Sequence, residues 1–599
     1  MDRRARSPVT LFWLASIALL GGCESAAPAP RTNMDAGASD AAASAPACQP
    51  PSEAQPDRLR RLTMIQYQHT VRDLVLWALG DPADAAAVID QAALSSLPAD
   101  RLEPVPQDIH GSYRRLDQAL EQAHVDAAFR VGSLLSQALT QPKRLAVLAG
   151  QCAVDDDASN DAACLDAFVR RFGARALRRP IDDDDLAFYR DVYGDASGAS
   201  ADAAGNGATA AAYADVINVM LNAPEFLYFV EHGAGDASHV APLTAHELAS
   251  RLSYHFWETM PDDELWRAAE DGSLLTDAVY RAQVERLSQD IRSHPTMLEF
   301  FSDWLKVERL PMLGQNADPV FTAFAGSDLP TPALRDHMID DVLNMVAYYT
   351  WIEPAGFTQL FTSERSFARD QDLAQIYGVA AWDSTSLPPL MPAGERPGLL
   401  TRALFLTTGS ANTRPIQKGV FLRRTILCDE IPPPPAGVNA MPPELRSDMT
   451  TRQVVESLTE QPDSQCAGCH ATLINPLGFA TEDFDALGRH RSEQTLFDPQ
   501  GNAVGSLAVD THSVPRITPG DEHASEGAAD LVKMMVDSGK LQSCLARNYF
   551  RFTFGRWEDE SADACVLERL RAKLTQTDSI AVLLKEVALT PEFRRRTFD

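Results

Sequence analysis

The sequence predicts a mainly α protein made of several consecutive helical domains. Apolar residues recur at three- and four-residue intervals through most of the chain, and runs of strand-like alternation are scarce. Capping signals stand directly ahead of several apolar runs. The length of 599 residues exceeds what one hydrophobic core ordinarily organises, so the helices divide into several units.

The first residues indicate the compartment. Arg3, Arg4 and Arg6 form a positive stretch, and the uncharged apolar run 9–20 follows. That run is shorter than the roughly 20 residues a bilayer span needs, and it suits the apolar region of a signal peptide. It ends in Leu20-Gly21-Gly22-Cys23, which resembles the lipobox of bacterial lipoproteins. The expectation is a signal peptide over 1–22, acylation of Cys23, and an exported protein anchored by that lipid in the cell envelope, at the periplasmic face or the cell surface. Residues 23–57 are rich in Ala, Pro, Ser and Asp and poor in large apolar side chains, a composition that reads as a flexible linker. The formal net charge of −30 argues against nucleic acid as a partner.

Beyond the linker the helical units are read in order. Over 58–140, Leu62, Ile65, Val71, Leu74 and Val75 fall roughly on one helical face. Over 150–235, Phe168, Phe172 and Leu177 form the apolar stripe, and Arg179-Pro180 ends that helix. The acidic run 182–185 suits the positive N-terminus of the next helix, and 194–212 reads as a low-complexity loop. Over 242–372, Thr244 and Glu247 form a capping box ahead of Leu248, Leu252 and Phe256. Asp262 and Asp263 open a further helix as capping groups rather than as a catalytic dyad. Trp257, Trp266 and Trp304 occupy helical spacings and read as core. Two further units are expected over 395–498 and 520–599, and the proline run 431–435 is an extended connection.

The chemistry is concentrated in Cys466-Ala467-Gly468-Cys469-His470. Two thiols spaced by two residues reach the two vinyl groups of one haem and form thioethers, and the adjacent imidazole becomes the proximal iron ligand. Zinc would need further thiol or imidazole ligands at suitable spacing nearby. A thioredoxin-type site would need a βαβ setting. Export favours the haem, because c-type haem is attached outside the cytoplasm. The 395–498 unit is therefore expected to be a cytochrome c-like, haem-bearing domain holding one covalent haem c through Cys466 and Cys469, with His470 on the iron.

Nine cysteines are present. With Cys23 assigned to lipid and Cys466 and Cys469 to haem, six remain for disulfides in an oxidising compartment. Local spacing suggests Cys152–Cys164 and Cys544–Cys565, which leaves Cys48 and Cys428 as a long-range pair. The sixth iron ligand stays open: Met534 and Met535 are weak candidates that also read as core fillers, and His490, His512, His523, Met441 and Met449 are others. Arg489 or Arg491 would suit haem propionates. Glu482, Asp483 and Asp485 read first as solvated or capping groups.

An ordered set of motifs covers almost the whole mature chain. It runs RRLT-x-x-QY-x-x-TVRDL from Arg60, F-x-x-RALRRP from Phe172, and RLSYHFW-x-x-MPDDEL from Arg251. It continues with RPIQKGVFL and ILC-x-x-IPPPP from Arg414, C-x-x-CH-x-x-x-NPLGFATEDFDALGRHR from Cys466, and LQSCLARNYFRFTFGR at the C-terminus. The chain resembles the large secreted bacterial proteins built from consecutive domains of unknown function (the 1587, 1595, 1592, 1588 and 1585 set), one of which bears a cytochrome c motif. That resemblance implies a modular, mainly helical architecture and haem binding, and it supplies no reaction. Asn475 stands where the family pattern leads one to expect Asp, and Thr481 where an aliphatic residue is usual.

Three functions fit these residues. The first is an envelope redox protein whose single haem exchanges electrons with a redox protein partner. The second is a haem-dependent peroxidase or oxygenase acting on an extracellular compound or polymer. The third is a surface-anchored binding or assembly module in which the haem is structural.

Overall fold

Thr63 starts the first helix of the computed structural model. Its hydroxyl accepts from the Gln66 amide while the Gln66 side chain accepts from the Thr63 amide, and the helix Met64–Leu79 follows. The structure describes residues 57–598 apart from 105–112, 158, 200–205, 236–238, 355, 433–445 and 463. The expected signal peptide, Cys23, the linker up to residue 56, Cys48 and Met441 lie outside the described residues. Among the described residues no helix is long and apolar enough to cross a membrane.

Among the described residues the helices enclose two large cores, beside a small third cluster of Phe321, Ala325 and Leu487. The first gathers Leu62, just ahead of the first helix, and Val71, Leu74 and Val75 from Met64–Leu79 with Phe168, Phe172, Val216 and Ile217 from the helices up to residue 221. Ile65, expected on the same face, is instead 43% exposed. It sits where the helix has just begun and points away from the packed side. The second core runs without a break from Leu243 to Phe593, so the segments 242–372, 395–498 and 520–599 share one apolar interior. Trp257 and Trp304 belong to it, and each indole N–H is satisfied by a carbonyl, of Leu287 at 3.0 Å and of Thr425 at 2.9 Å. Trp266 is buried in the first core. The two cores meet at Tyr254, whose hydroxyl lies 2.6 Å from Thr70 Oγ1 and 3.3 Å from an Arg178 nitrogen.

Local signals account for the helix boundaries. Thr244 and Glu247 cap Ala245–Trp257 reciprocally. Asp262 accepts from the Leu265 amide at 3.0 Å and pairs with Arg286 at 2.8 Å, so it is a helix cap in an ion pair. Ala174–Leu177 ends at Arg178 in the left-handed conformation, two residues ahead of Pro180. The 194–212 stretch departs from expectation. The helix Asp183–Ala199 runs into it and the helix Asn206–Leu221 begins inside it. Its many alanines, the best helix formers, extend both helices where small polar residues had suggested a loop.

Strands are few and serve as clasps. Arg60–Arg61 pairs antiparallel with Tyr228–Phe229, and Val240–Pro242 pairs with Arg595–Thr597 near the C-terminus. Arg251 reinforces the second clasp, donating to Glu231 and to the carbonyls of Phe593 and Arg595 at 2.9–3.0 Å. Glu493–Phe497 and Ala503–Ala508 form a hairpin after the CxxCH segment.

Two disulfides are present among the described residues. Cys152 bridges Cys164 across 12 residues, and Cys428 bridges Cys544 across 116. The second bridge corrects two of the expected pairings, because Cys544 is not joined to Cys565 and Cys428 is not joined to Cys48. Cys544 is buried in Lys540–Phe554 and faces the chain leaving the turn Leu422–Ile426. Cys565 lies one residue into the next helix, Ala564–Thr577.

Candidate haem-attachment site

Another reciprocal cap, Thr450 with Gln453, starts the helix Thr451–Thr459, which ends at Glu460. After a short connection, Ser464 Oγ accepts from the Ala467 amide at 3.2 Å, and the His470 amide donates to the Cys466 carbonyl at 2.9 Å. Residues 466–470 therefore make one helical turn. In such a turn, positions three and four apart share a face, so Cys466, Cys469 and His470 are presented together. All three side chains are half-buried.

The chain then widens into a π-helical turn, His470–Ile474, and tightens again into Asn475–Phe479. A π-turn shifts the backbone hydrogen-bond pattern, and such turns are frequent at functional sites. Here the Leu473 carbonyl accepts from Arg423 Nε at 3.0 Å. The buried Arg423 guanidinium also donates to the carbonyls of Pro515 and Arg516 and to Asp429. Pro476 occupies the first turn of Asn475–Phe479, where its missing N–H costs nothing.

Gly478 is required for space rather than for a turn. A Cβ there would stand 2.0 Å from the Pro415 carbonyl oxygen, and one on Gly419 would stand 2.0 Å from the Ile474 carbonyl oxygen. The helices Pro415–Phe421 and Asn475–Phe479 thus cross backbone against backbone through two glycines. Lys418 secures the crossing, its Nζ 2.8 Å from Thr481 Oγ1 and 3.1 Å from Glu482 Oε1.

The crossing fixes His470. Its Nδ1 lies 3.1 Å from Oδ1 of Asn475, whose side chain is fully buried. The Asn475 amide nitrogen donates to Thr459 Oγ1 at 3.0 Å and to Glu460 Oε1 at 2.7 Å. With Nδ1 engaged, the imidazole keeps Nε2 for a metal, the arrangement in which outer partners orient a ligating histidine. The residues present therefore fit a c-type haem: Cys466 and Cys469 as thioether donors, and His470 Nε2 as an axial ligand on the same face.

The remaining candidates are placed as follows. Met535 is fully buried in the second core and Met534 packs against it, both on Ala528–Asp537. That helix packs on Gln359–Thr362, on the turn Leu399–Thr401 and on Lys540–Phe554, whereas the CxxCH turn packs on its own π-turn. Arg489 is occupied by Asp485, Asp328 and the carbonyls of Phe324 and Ala325, so its guanidinium is spoken for by packing. Arg491 donates to the Glu482 carbonyl at 3.1 Å. Glu482 accepts from Thr413 and Lys418, and Asp485 accepts from the amides of Leu487 and Arg489. Asp483 is pushed above the usual carboxylate range by burial, and His490 lies 3.7 Å from it. His512 and His523 are exposed and Met449 is half-buried.

Asn475, Thr459 and Glu460 were not read from the sequence as parts of the site. The available signal was an Asn five residues past the histidine and a Thr-Glu pair six residues ahead of the first cysteine.

The fold and the site define a mainly helical, multidomain protein with a cytochrome-like domain. Four family models match the chain in order, each described as a protein of unknown function. They are DUF1595 over residues 164–231, DUF1592 over 243–379, DUF1588 (PSCyt3, the cytochrome-like one) over 396–494 and DUF1585 over 521–593. The chain carries this consecutive domain set and belongs with the proteins built from it. The motif at Arg60, where the 1587 domain is expected, lies ahead of the first matched residue. No curated protein and no solved structure matches the chain.

Proposed function

We propose that this protein is an exported, lipid-anchored redox protein carrying one haem c on Cys466 and Cys469, with His470 Nε2 as the proximal iron ligand. The observation that carries the reading is the single helical turn of Cys466, Cys469 and His470, with the imidazole held from behind by Asn475, inside the segment matched by the cytochrome-like model. Each thiol would add its sulfur and hydrogen across one vinyl double bond, a step that needs no oxidant and releases no leaving group. When bound, the haem supplies a one-electron carrier. The chain's own part is to hold the two cysteine sulfurs and the imidazole on one face, and to brace that face from behind through the Gly419–Gly478 crossing. Acylation of Cys23 would tether the protein to the envelope membrane, with 23–57 as spacer, and a redox protein partner would dock on the half-exposed side of the CxxCH turn.

The test is a visible spectrum of the full chain, exported from cells that express the c-type haem maturation machinery. Spectra are recorded oxidised, dithionite-reduced, and reduced under CO. Sharp reduced α and β bands that persist under denaturing conditions and do not move with CO are expected. Bands that shift with CO would transfer the assignment to ligand chemistry of the peroxidase or oxygenase kind. Absence of covalent haem would overturn the proposal.

A further inference from the structure

Behind His470 stands a chain of three polar side chains whose orientation is determined. The Thr459 hydroxyl donates to the Val455 carbonyl at 2.7 Å, so towards Asn475 its oxygen serves as an acceptor. Glu460 Oε1, 2.7 Å from the same amide nitrogen, is an acceptor as well. Two acceptors on one side fix which end of the Asn475 amide is which, because the flipped rotamer would set its oxygen against a carboxylate. Asn475 Oδ1 therefore faces His470 Nδ1 and accepts a hydrogen bond from its N–H, which fixes the tautomer with the Nε2 lone pair outward.

We propose that Asn475, polarised by Glu460, is a positioning residue that sets the reduction potential of the haem; this rests on the reading of His470 as proximal ligand. The strength of the acceptor behind a ligating imidazole governs how much electron density the ring gives the iron. A neutral amide draws on the Nδ1 proton less than a carboxylate would, and so favours the ferrous state. The Glu460 carboxylate, hydrogen-bonded to the other end of the amide, makes the amide oxygen a stronger acceptor and pulls the potential part of the way back down. Asn475 is fully buried, so water does not take over this hydrogen bond.

The experiment measures midpoint potentials by spectroelectrochemical titration of the haem-loaded full chain and two variants. Glu460→Gln keeps an acceptor oxygen for the Asn475 amide and removes the charge. The double variant Asn475→Asp with Glu460→Gln turns the chain around, because the new amide then donates to a carboxylate that faces His470. Glu460→Gln is expected to raise the potential and the double variant to lower it below the unmodified protein. The double variant's shift is expected to be about tenfold in the oxidised-to-reduced equilibrium, or about 59 mV for one electron. A purely structural role for Asn475 does not produce opposite signs. Unchanged potentials, or shifts of the same sign, overturn the proposal. Should the double variant fail to fold, the half-exposed Glu460→Gln change decides alone, and anything other than a rise overturns it. An unmodified chain that carries no covalent haem would remove the underlying reading of His470, and this proposal with it, a result distinct from haem present with unmoved potentials.

Discussion

Replacing Gly478 with alanine adds one methyl group to the tightest helix crossing near the site. The new Cβ would lie 2.0 Å from the Pro415 carbonyl oxygen, 2.6 Å from its carbon and 2.9 Å from its Cα. Carbon–oxygen contacts at close helix crossings run about 3.3–3.6 Å, so the two helices must part by roughly 1.3 Å. Every obstructing atom is backbone, and no side chain can swing aside. Overpacking of this kind costs about 1–3 kcal/mol, and the upper end is expected here. The displacement also strains the Lys418 contacts with Thr481 and Glu482 and reaches Ile474, which closes the π-turn that begins at His470. Gly468 is the internal control, since a Cβ there meets nothing within 4 Å and its backbone is helical. Gly468→Ala is expected to be neutral or to stabilise by about 0.4–1 kcal/mol through the unfolded state. The assay is urea denaturation followed by far-UV circular dichroism, with the yield of covalent haem measured in parallel. Opposite effects of the two Gly→Ala changes, ten residues apart, are expected. Equal effects, or a Gly478→Ala protein as stable as the parent, would refute the backbone-to-backbone crossing.

Acid stability follows from His255, whose pKa burial lowers from 6.5 to about 4, with Tyr549 Oη and the Leu584 carbonyl as neighbours. The unfolded chain takes up this proton near pH 6.5 and the folded one only near 4. Stability is therefore full above 6.5 and falls by about 3 kcal/mol as pH drops through that window; His255→Gln melts at several pH values should flatten the slope. Glu258 behaves with the opposite sign, since burial first and then the neighbouring Glu299 charge raise its pKa well above the usual range. Its contribution is present at low pH and lost as pH rises above the ordinary carboxylate range, so Glu258→Gln should raise the melting temperature at neutral pH and leave it little changed in acid. The two disulfides differ in reach. Loop-closure entropy assigns about 5 kcal/mol to Cys428–Cys544 and about 3 kcal/mol to Cys152–Cys164, so paired Cys→Ser variants should lose more denaturant stability at the first bridge than at the second.

What could be read in advance was what is local in sequence. The Thr244 capping box, the Asp262 cap and the burial of three tryptophans depend on residues within a turn or two of each other, and composition and spacing encode them. The readings that changed depended on partners far along the chain. Cys544 finds Cys428 because Lys540–Phe554 packs beside the turn Leu422–Ile426, a fact about three dimensions that spacing does not hold. Gly478 could not be assigned in advance, because a glycine needed for close approach and one needed for a turn read the same in one sequence. Asn475 stood out only as a departure from a resembling pattern, and its partners Thr459 and Glu460 belong to a helix that precedes the motif.

The cytochrome-like segment is tied to both of its neighbours. Arg489 reaches back to Asp328 and to the carbonyls of Phe324 and Ala325. Trp304 donates to the Thr425 carbonyl, Lys540 pairs with Asp429, and Cys428 is bridged to Cys544. Trp304 belongs to the core that runs from Leu243 to Phe593, whereas the Arg489 contacts fall at a separate small cluster of Phe321, Ala325 and Leu487. The CxxCH turn keeps its three side chains half-exposed. The proposed electron exchange with a docking partner would use both properties: a braced back that holds the His470 imidazole in one orientation, and a reachable front. Arg423 links the two. Its guanidinium gathers the Pro515 and Arg516 carbonyls and Asp429 on the core side, and touches the Leu473 carbonyl three residues past His470. The shared core thus reaches the His470 turn through Arg423 and the π-turn.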